Sequence, residues 1–248
     1  MHRLRDLVAG RTVAVCAHGA SIRELAARAP EFADLDFCYA SLNYFSVIET
    51  EIVARMGRQL EIVYCTSGEE AARRRKVIMR FLARSRRKAL ITCERVLRDR
   101  LGRAMRSWTH QTVLIDEPEG PRSQWPNSMT GLLLTLMGAR ATSKIITFGL
   151  DGYLGPRASA LDTYVGQERL RRERRAGNIV TDTVHFNAHW PAWRDAYCAR
   201  HDVPPVEVLN CSPKTVITPI PVITYDELRT HAAPVPTYRS RHECRCRL

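Results

Sequence analysis

Along the first 150 residues, short apolar runs alternate with longer stretches of helical periodicity. The runs are 12–17 (TVAVCA), 35–40 (LDFCYA), 61–65 (EIVYC), 89–92 (ALIT), 112–115 (TVLI) and 145–148 (IITF), with a later one at 206–209. Between them lie SIRELAARA at 21–29, a long basic segment at 68–87 whose Val77, Ile78, Phe81 and Leu82 recur at helical spacing, a helical stretch from Glu94 to about Arg106, and a small-residue apolar helix ending near Ala139. Strands that alternate with helices predict a mostly parallel sheet covered on both faces, joined by right-handed crossovers. The expected fold class is therefore α/β, a single Rossmann-like domain over residues 1–215, followed by an irregular basic tail at 216–248.

Several polar residues sit where such a fold binds ligands, beyond the carboxyl ends of the strands. After the first run come His18, Gly19, Ala20 and Ser21, and Ser21 with Glu24 has the spacing of a helix capping box. A strand, a glycine turn and a helix start expose backbone amides that favour an anion. After the second run, Asn43 offers a donor and an acceptor suited to a nucleobase edge or a ribose, or equally a helix cap. Asp116 and Glu117 form an acidic cluster at the end of the fifth run, suited to a metal or to acid–base work and equally to solvent exposure. The segment 127–153 (NSMTGLLLTLMGARATSKIITFGLDGY) begins with Asn127 and Ser128 and ends with Gly149, Asp151, Gly152 and Tyr153. Apolar residues alone would have sufficed for packing there.

Residues 154–182 are polar and basic, without apolar periodicity. A loop of that length in a compact domain is usually a lid or a disordered segment, and Tyr164 is its main aromatic. His185 and His189 follow, four apart, ahead of a helix expected from about Pro191 to His201. The pair has no HExxH glutamate, so a general base is a better functional reading than zinc.

Composition narrows the classes. With 248 residues, 45% hydrophobic and 26% charged, the chain can bury a sizeable core. No apolar run approaches the roughly 20 residues of a membrane span, and the charged start does not read as a signal peptide, so a cytoplasmic setting is expected. Eight cysteines are spread singly, apart from Cys244 and Cys246, without the paired spacing of a zinc site or the context of a disulfide scaffold. The formal net charge of +12 comes with two Arg-rich blocks, 73–88 and 169–175. Such fields attract nucleic acid, anionic membrane or phosphorylated substrates. The first block holds a single aromatic, Phe81, at a position of apolar helical spacing, and the second holds none, which argues against base stacking on nucleic acid.

Taken in order, AVCAHGAS, SLNYF, PNSMTGLLLTLMGA, KIITFGLDGY, VHFNAHW and VEVLNCSP resemble the bacterial sialyltransferase family that transfers sialic acid from CMP-sialic acid to lipooligosaccharide. They also resemble the related hydroxymethylpterin diphosphokinase-like proteins. The resemblance covers about residues 12–215 and implies a GT-A-like variant of the Rossmann-like fold. It implies a donor site made of His18, Gly19, Ser21, Asn43, Asn127, Ser128, Gly149, Asp151, Gly152, Tyr153 and Tyr164, with Tyr153 and Tyr164 on the donor phosphate. It makes His189 the general base, with His185 beside it. The implied reaction is metal-independent inverting transfer, with a CMP-sugar as donor, no other cofactor and a glycan as acceptor. It implies a place in lipopolysaccharide synthesis. The charge of the Arg-rich helices, independently of the resemblance, allows peripheral contact with the anionic surface of the inner membrane. His18 and Asn127 depart from the family's pattern. Two alternatives stand beside this reading: a diphosphokinase-like enzyme using ATP and Mg²⁺ on a small heterocycle, with Asp116 and Glu117 as ligands, and a nucleotide- or polyanion-binding module without catalysis.

Overall fold

A computed structural model describes residues 1–17, 19–42, 47–85, 87–115, 128–152 and 178–232. Seven strands form one parallel sheet: β1 (Thr12–Cys16), β2 (Phe37–Ser41), β3 (Leu60–Tyr64), β4 (Ala89–Cys93), β5 (Thr112–Ile115), β6 (Lys144–Phe148) and β7 (Glu207–Asn210). Their order is β5-β4-β3-β2-β1-β6-β7. In register, Thr12 pairs with Phe37 on one side and with Lys144 on the other, so β1 is central. Every residue of β1, β2 and β4 is buried. Burial on both faces explains why these strands read as unbroken apolar runs rather than as alternating patterns.

The helices divide between the two faces. On one lie α2 (Ile22–Arg28), α3 (Val47–Arg55), α4 (Gly68–Ala83) and the helical turns that begin with α5 (Glu94–Val96) and run on to Gln111. They seat Leu25, Phe32, Val53 and Phe81 in a core with Phe37 and Phe148. On the other face, α1 (His2–Val8), α6 (Ser128–Gly138) and α7 (Asn178–His201) seat Leu4, Leu132, Leu133, Phe186 and Trp190. Met129, Thr130 and the six residues from Leu132 to Met137 are buried, which fits a helix that is apolar nearly all round. Its glycines admit neighbours: a Cβ at Gly131 would collide with the Tyr64 hydroxyl, and one at Gly138 with the Tyr197 hydroxyl.

One expectation is corrected. The helix expected from Pro191 starts at Asn178, so the expected lid at 154–182 loses its last five positions and His185 and His189 are helical. Proline preceding a helix usually marks its first turn, but Pro191 lies inside α7. An interior proline costs about 3 kcal/mol. Here it is offset by Phe186 and Trp190, both 1% exposed and stacked with ring centres 5.2 Å apart, each contributing about 1.5–3 kcal/mol by burial. The structure also describes the first part of the segment assigned to the irregular tail. From 216 to 232 it is packed: Ile217, Ile220, Ile223, Tyr225 and Leu228 are buried. Pro221–Ile223 lies along the outer edge of β7, where Asn210 N–H donates to Pro221 O (2.9 Å) and Ile223 N–H to Asn210 O (3.0 Å). An edge strand is thereby covered, and the short α8 (Leu228–His231) follows.

Among the described residues, six cysteines (Cys16, Cys38, Cys65, Cys93, Cys198 and Cys211) are buried thiols, and no helix is long and apolar enough to cross a membrane. Cys244 and Cys246 lie outside the described residues, as do Asp116, Glu117 and the second Arg block.

Candidate functional site

The chain moves outward from β1 through β5 and then returns to place β6 on the other side of β1, so strand order reverses between β1 and β6. In open α/β sheets the crevice beyond the carboxyl ends of the strands at such a reversal is the usual ligand site. The turn after β1 and the segment after β6 meet there. Pairing continues past the strands, with Ala17 N–H donating to Phe148 O and Gly19 N–H to Gly149 O, both at 2.8 Å. A Cβ on Gly19 would collide with the Gly149 carbonyl and lie 2.5 Å from Asp151 Oδ2. Gly149 has φ +69° and a Cβ there would come within 2.8 Å of Ala17 O. These two glycines are therefore demanded by the approach of two backbones.

Asp151, 7% exposed, closes this junction. Its Oδ2 accepts from the Ser21 amide at 2.9 Å, and its Oδ1 accepts from the Ser21 hydroxyl. The capping box expected at Ser21 and Glu24 does not form: Ser21 precedes α2, but its side chain makes no helix-capping bond. The amides of Gly19, Ser21 and Ile22 are all engaged, on Gly149 O, Asp151 Oδ2 and Gly19 O. Asp151 thus supplies a carboxylate to the Ser21 amide at this turn.

Beyond β6 the chain is tied to β7 by a polar network that the sequence reading did not single out. Thr147 Oγ1 donates to Asn210 Oδ1 (3.0 Å), and Asn210 Nδ2 donates to Leu150 O (2.9 Å). Leu150 N–H donates to Ser212 Oγ (3.0 Å), and Thr215 Oγ1 donates to Leu150 O (2.8 Å). Val216 N–H reaches Asp151 O at 2.7 Å. Asn210 and Ser212 are fully buried, so each must find partners or cost stability. Polar residues at the end of a buried strand, Asn210 and Ser212, were the available signal. Cys211 between them is held protonated: burial, then the nearby Glu24, pushes its thiol up to about 12. That excludes a thiolate nucleophile at neutral pH. At the end of β3, burial likewise pushes the Tyr64 phenol up to about 12, against the pull of its hydrogen bond to Thr66.

Gly152, at φ +70°, packs beneath the start of α7, where a Cβ would lie 2.8 Å from Ile217 and 3.1 Å from Thr183. Asn187 fixes the same side of α7, with Nδ2 donating to Val216 O (2.8 Å) and Oδ1 accepting from Thr218 N–H (3.1 Å). Residues two apart on a helix point about 200° away from each other. His185 and His189 therefore lie on the flank of α7 opposite Thr183 and Asn187, away from the contact with Gly152. Their ring centres are 5.9 Å apart, and the His189 ring centre is 5.4 Å from that of Trp193. His185 is half-buried and His189 exposed.

The structure thus brings together Gly19, Ser21, Gly149, Asp151 and Gly152, and separately His185 and His189. Ser128 opens α6. His18, Asn43, Asn127, Tyr153 and Tyr164 lie outside the described residues. Among the described residues no group of three or more His, Cys, Asp or Glu is gathered to hold a metal ion. Comparison of the chain with protein-family models, with curated proteins and with solved structures returned no match.

Proposed function

We propose that the chain is an inverting glycosyltransferase that takes an acidic sugar from a CMP donor and delivers it to a glycan hydroxyl. The observation that carries this reading is the reversal of strand order at β1 and β6. It sets the turn at 19–21 beside the segment at 149–152, and these are two of the segments through which the sequence resembles sialyltransferases. Asp151 on Ser21 and the Asn210 network tie these segments together, and fixed relative placement is what positioning a donor requires.

In this reading Asp151 acts as a positioning carboxylate. Its oxygens are already engaged by Ser21, so it is neither the base nor a phosphate competitor left open to solvent. The base is His189, the role the sequence resemblance implies for it, although it stands on the flank of α7 opposite the contact with Gly152; it takes the proton of the acceptor hydroxyl. That oxygen attacks the anomeric carbon from the face opposite the leaving group, the bond from carbon to phosphate oxygen breaks, and CMP departs with the electron pair. Tyr153 and Tyr164 donate hydrogen bonds to the departing phosphate, stabilising charge that develops in the transition state. An exposed imidazole suits the base because it is open to an incoming acceptor.

The test is thermal-shift measurement with CMP, UMP, AMP and ATP, each with and without Mg²⁺, followed by donor turnover. Metal-independent stabilisation by CMP, with turnover of a CMP-activated acidic sugar lost in His189→Ala, is the expected result. Stabilisation by ATP only with Mg²⁺ would replace this reading with the diphosphokinase one, and unchanged turnover in His189→Ala would remove His189 as the base.

A further inference from the structure

The positive charge of the chain is concentrated. Between residues 68 and 106 there are fourteen Lys and Arg against four Asp and Glu, a balance of +10 in a chain whose formal total is +12. The fold gathers part of this run on one surface. The helix α4 spends Ala71, Ile78, Phe81 and Leu82 on the core beneath it. Lys76, Arg80 and Arg84 follow at successive i+4 steps and are exposed, Arg84 just past the last residue of the helix, and Arg87, three positions further on, is exposed too. Among the described residues none of these four has a carboxylate partner. Arg100, also exposed, lies against the first turn of α4, where a Cβ on Gly68 would be 3.4 Å from its Nε. Lys88, by contrast, is turned inward, its Nζ 4.6 Å from the centre of the Phe81 ring.

Like charges one helical turn apart repel, and nothing in the described part of the fold offsets the row. A partner of opposite charge would. We propose that the outward face of α4, from Lys76 to Arg87, is a docking surface for an anionic lipid bilayer. The row stands on the exposed side of a helix whose opposite side is in the core. Among the described residues it carries no exposed aromatic, since Phe81 is buried. Polynucleotides are held without sequence preference by a basic groove with stacking rings, whereas a leaflet of anionic headgroups needs only cations on a protruding face. The exposed apolar side chain nearest the row is Val77, 40% exposed, and the apolar face of α4 is committed to the core. Contact is therefore peripheral and electrostatic, without insertion. The inference stands apart from glycosyl transfer and would hold for a chain without that activity.

The full chain is sedimented with vesicles of phosphatidylglycerol and phosphatidylcholine, and with vesicles of phosphatidylcholine alone. Binding is expected to the first only, and to fall steeply as salt rises from about 50 to about 500 mM. Each cation against an anionic leaflet is worth roughly five-fold in partitioning. Lys76→Gln, Arg80→Gln and Arg84→Gln together should therefore weaken binding about a hundred-fold. A control with the same loss of charge elsewhere, Arg55→Gln, Arg200→Gln and Lys214→Gln, should weaken it by less than about five-fold. All six side chains are exposed, and matched circular dichroism and thermal midpoints establish that both variants are folded. No sedimentation with anionic vesicles at low salt would overturn the proposal, as would equal weakening in the two variants. So would release from the vesicles by RNA at equal phosphate concentration, which would assign the face to nucleic acid.

Discussion

The Asp151 carboxylate is bound at both oxygens by Ser21, through its amide at 2.9 Å and through its hydroxyl. This one pair locks the turn after β1 to the end of β6 across 130 residues of sequence. Hydrogen bonds to a charged group are worth about 1.5–3 kcal/mol each. Ser21→Ala keeps the amide bond and should cost about 1–2 kcal/mol, while Asp151→Ala loses both and should cost about 3 kcal/mol. Urea unfolding of the two single variants and the double variant checks this. Strict additivity in that cycle would mean that the pair is not coupled as described.

Gly19→Ala should destabilise more than Gly10→Ala, although only Gly10 has a positive φ, at +68°. At Gly10 a Cβ meets nothing within 4 Å, so the cost is the left-handed backbone, about 1 kcal/mol. At Gly19 the Cβ runs into the Gly149 carbonyl, a backbone atom that cannot swing aside. A loss above about 3 kcal/mol, or failure to fold, is expected there. Equal thermal midpoints for the two variants would contradict the close approach of the two strand ends.

Pro191→Ala should stabilise the chain by about 1–3 kcal/mol, because it restores a helix amide and removes the clash of the ring with the carbonyl of Asn187. The gain is read from urea unfolding, with helix content by circular dichroism unchanged or slightly higher. A net loss of stability would indicate that Pro191 itself is needed to seat Phe186 and Trp190.

Lys88 gives a pH dependence of known sign. Burial, with Arg84 nearby, lowers its pKa from 10.5. The unfolded chain therefore holds this proton to higher pH than the folded chain, and the stability assigned to Lys88 rises as pH climbs from the depressed value towards 10.5. Lys88→Met removes the buried charge and should be the more stable protein at neutral pH by about 1 kcal/mol. Its advantage should shrink as pH approaches 10.5. Urea midpoints of both proteins at neutral and alkaline pH read the difference, and an advantage that does not change with pH would refute the shift.

The parallel sheet was legible in the chain because strands buried on both faces must be apolar at every position, as TVAVC and ALITC are. The strand-end glycines and Asp151 were legible too, since polar and small residues there are not needed for packing alone. Their partners were not. Ser21 and Glu24 have the spacing of a cap, and nothing local reveals that the Ser21 hydroxyl prefers a carboxylate 130 positions away. Pro191 misled for a similar reason: proline is a start signal by local rule, and only the stacking of Phe186 on Trp190 against the sheet makes it tolerable inside a helix.

Local chemistry along the chain was enough to dictate the elements, their alternation and hence the class of fold, because apolar period and chain direction are properties of short segments. The order β5-β4-β3-β2-β1-β6-β7 is of another kind. It arises from which faces bury each other over distances of 100 residues and more. That order put Gly19 against Gly149, engaged the amide of Ser21 with Asp151, folded 216–232 back along β7, and turned His185 and His189 to the opposite flank of α7 from Gly152. Tertiary packing alone could decide these, since each is a contact between groups that no local pattern relates.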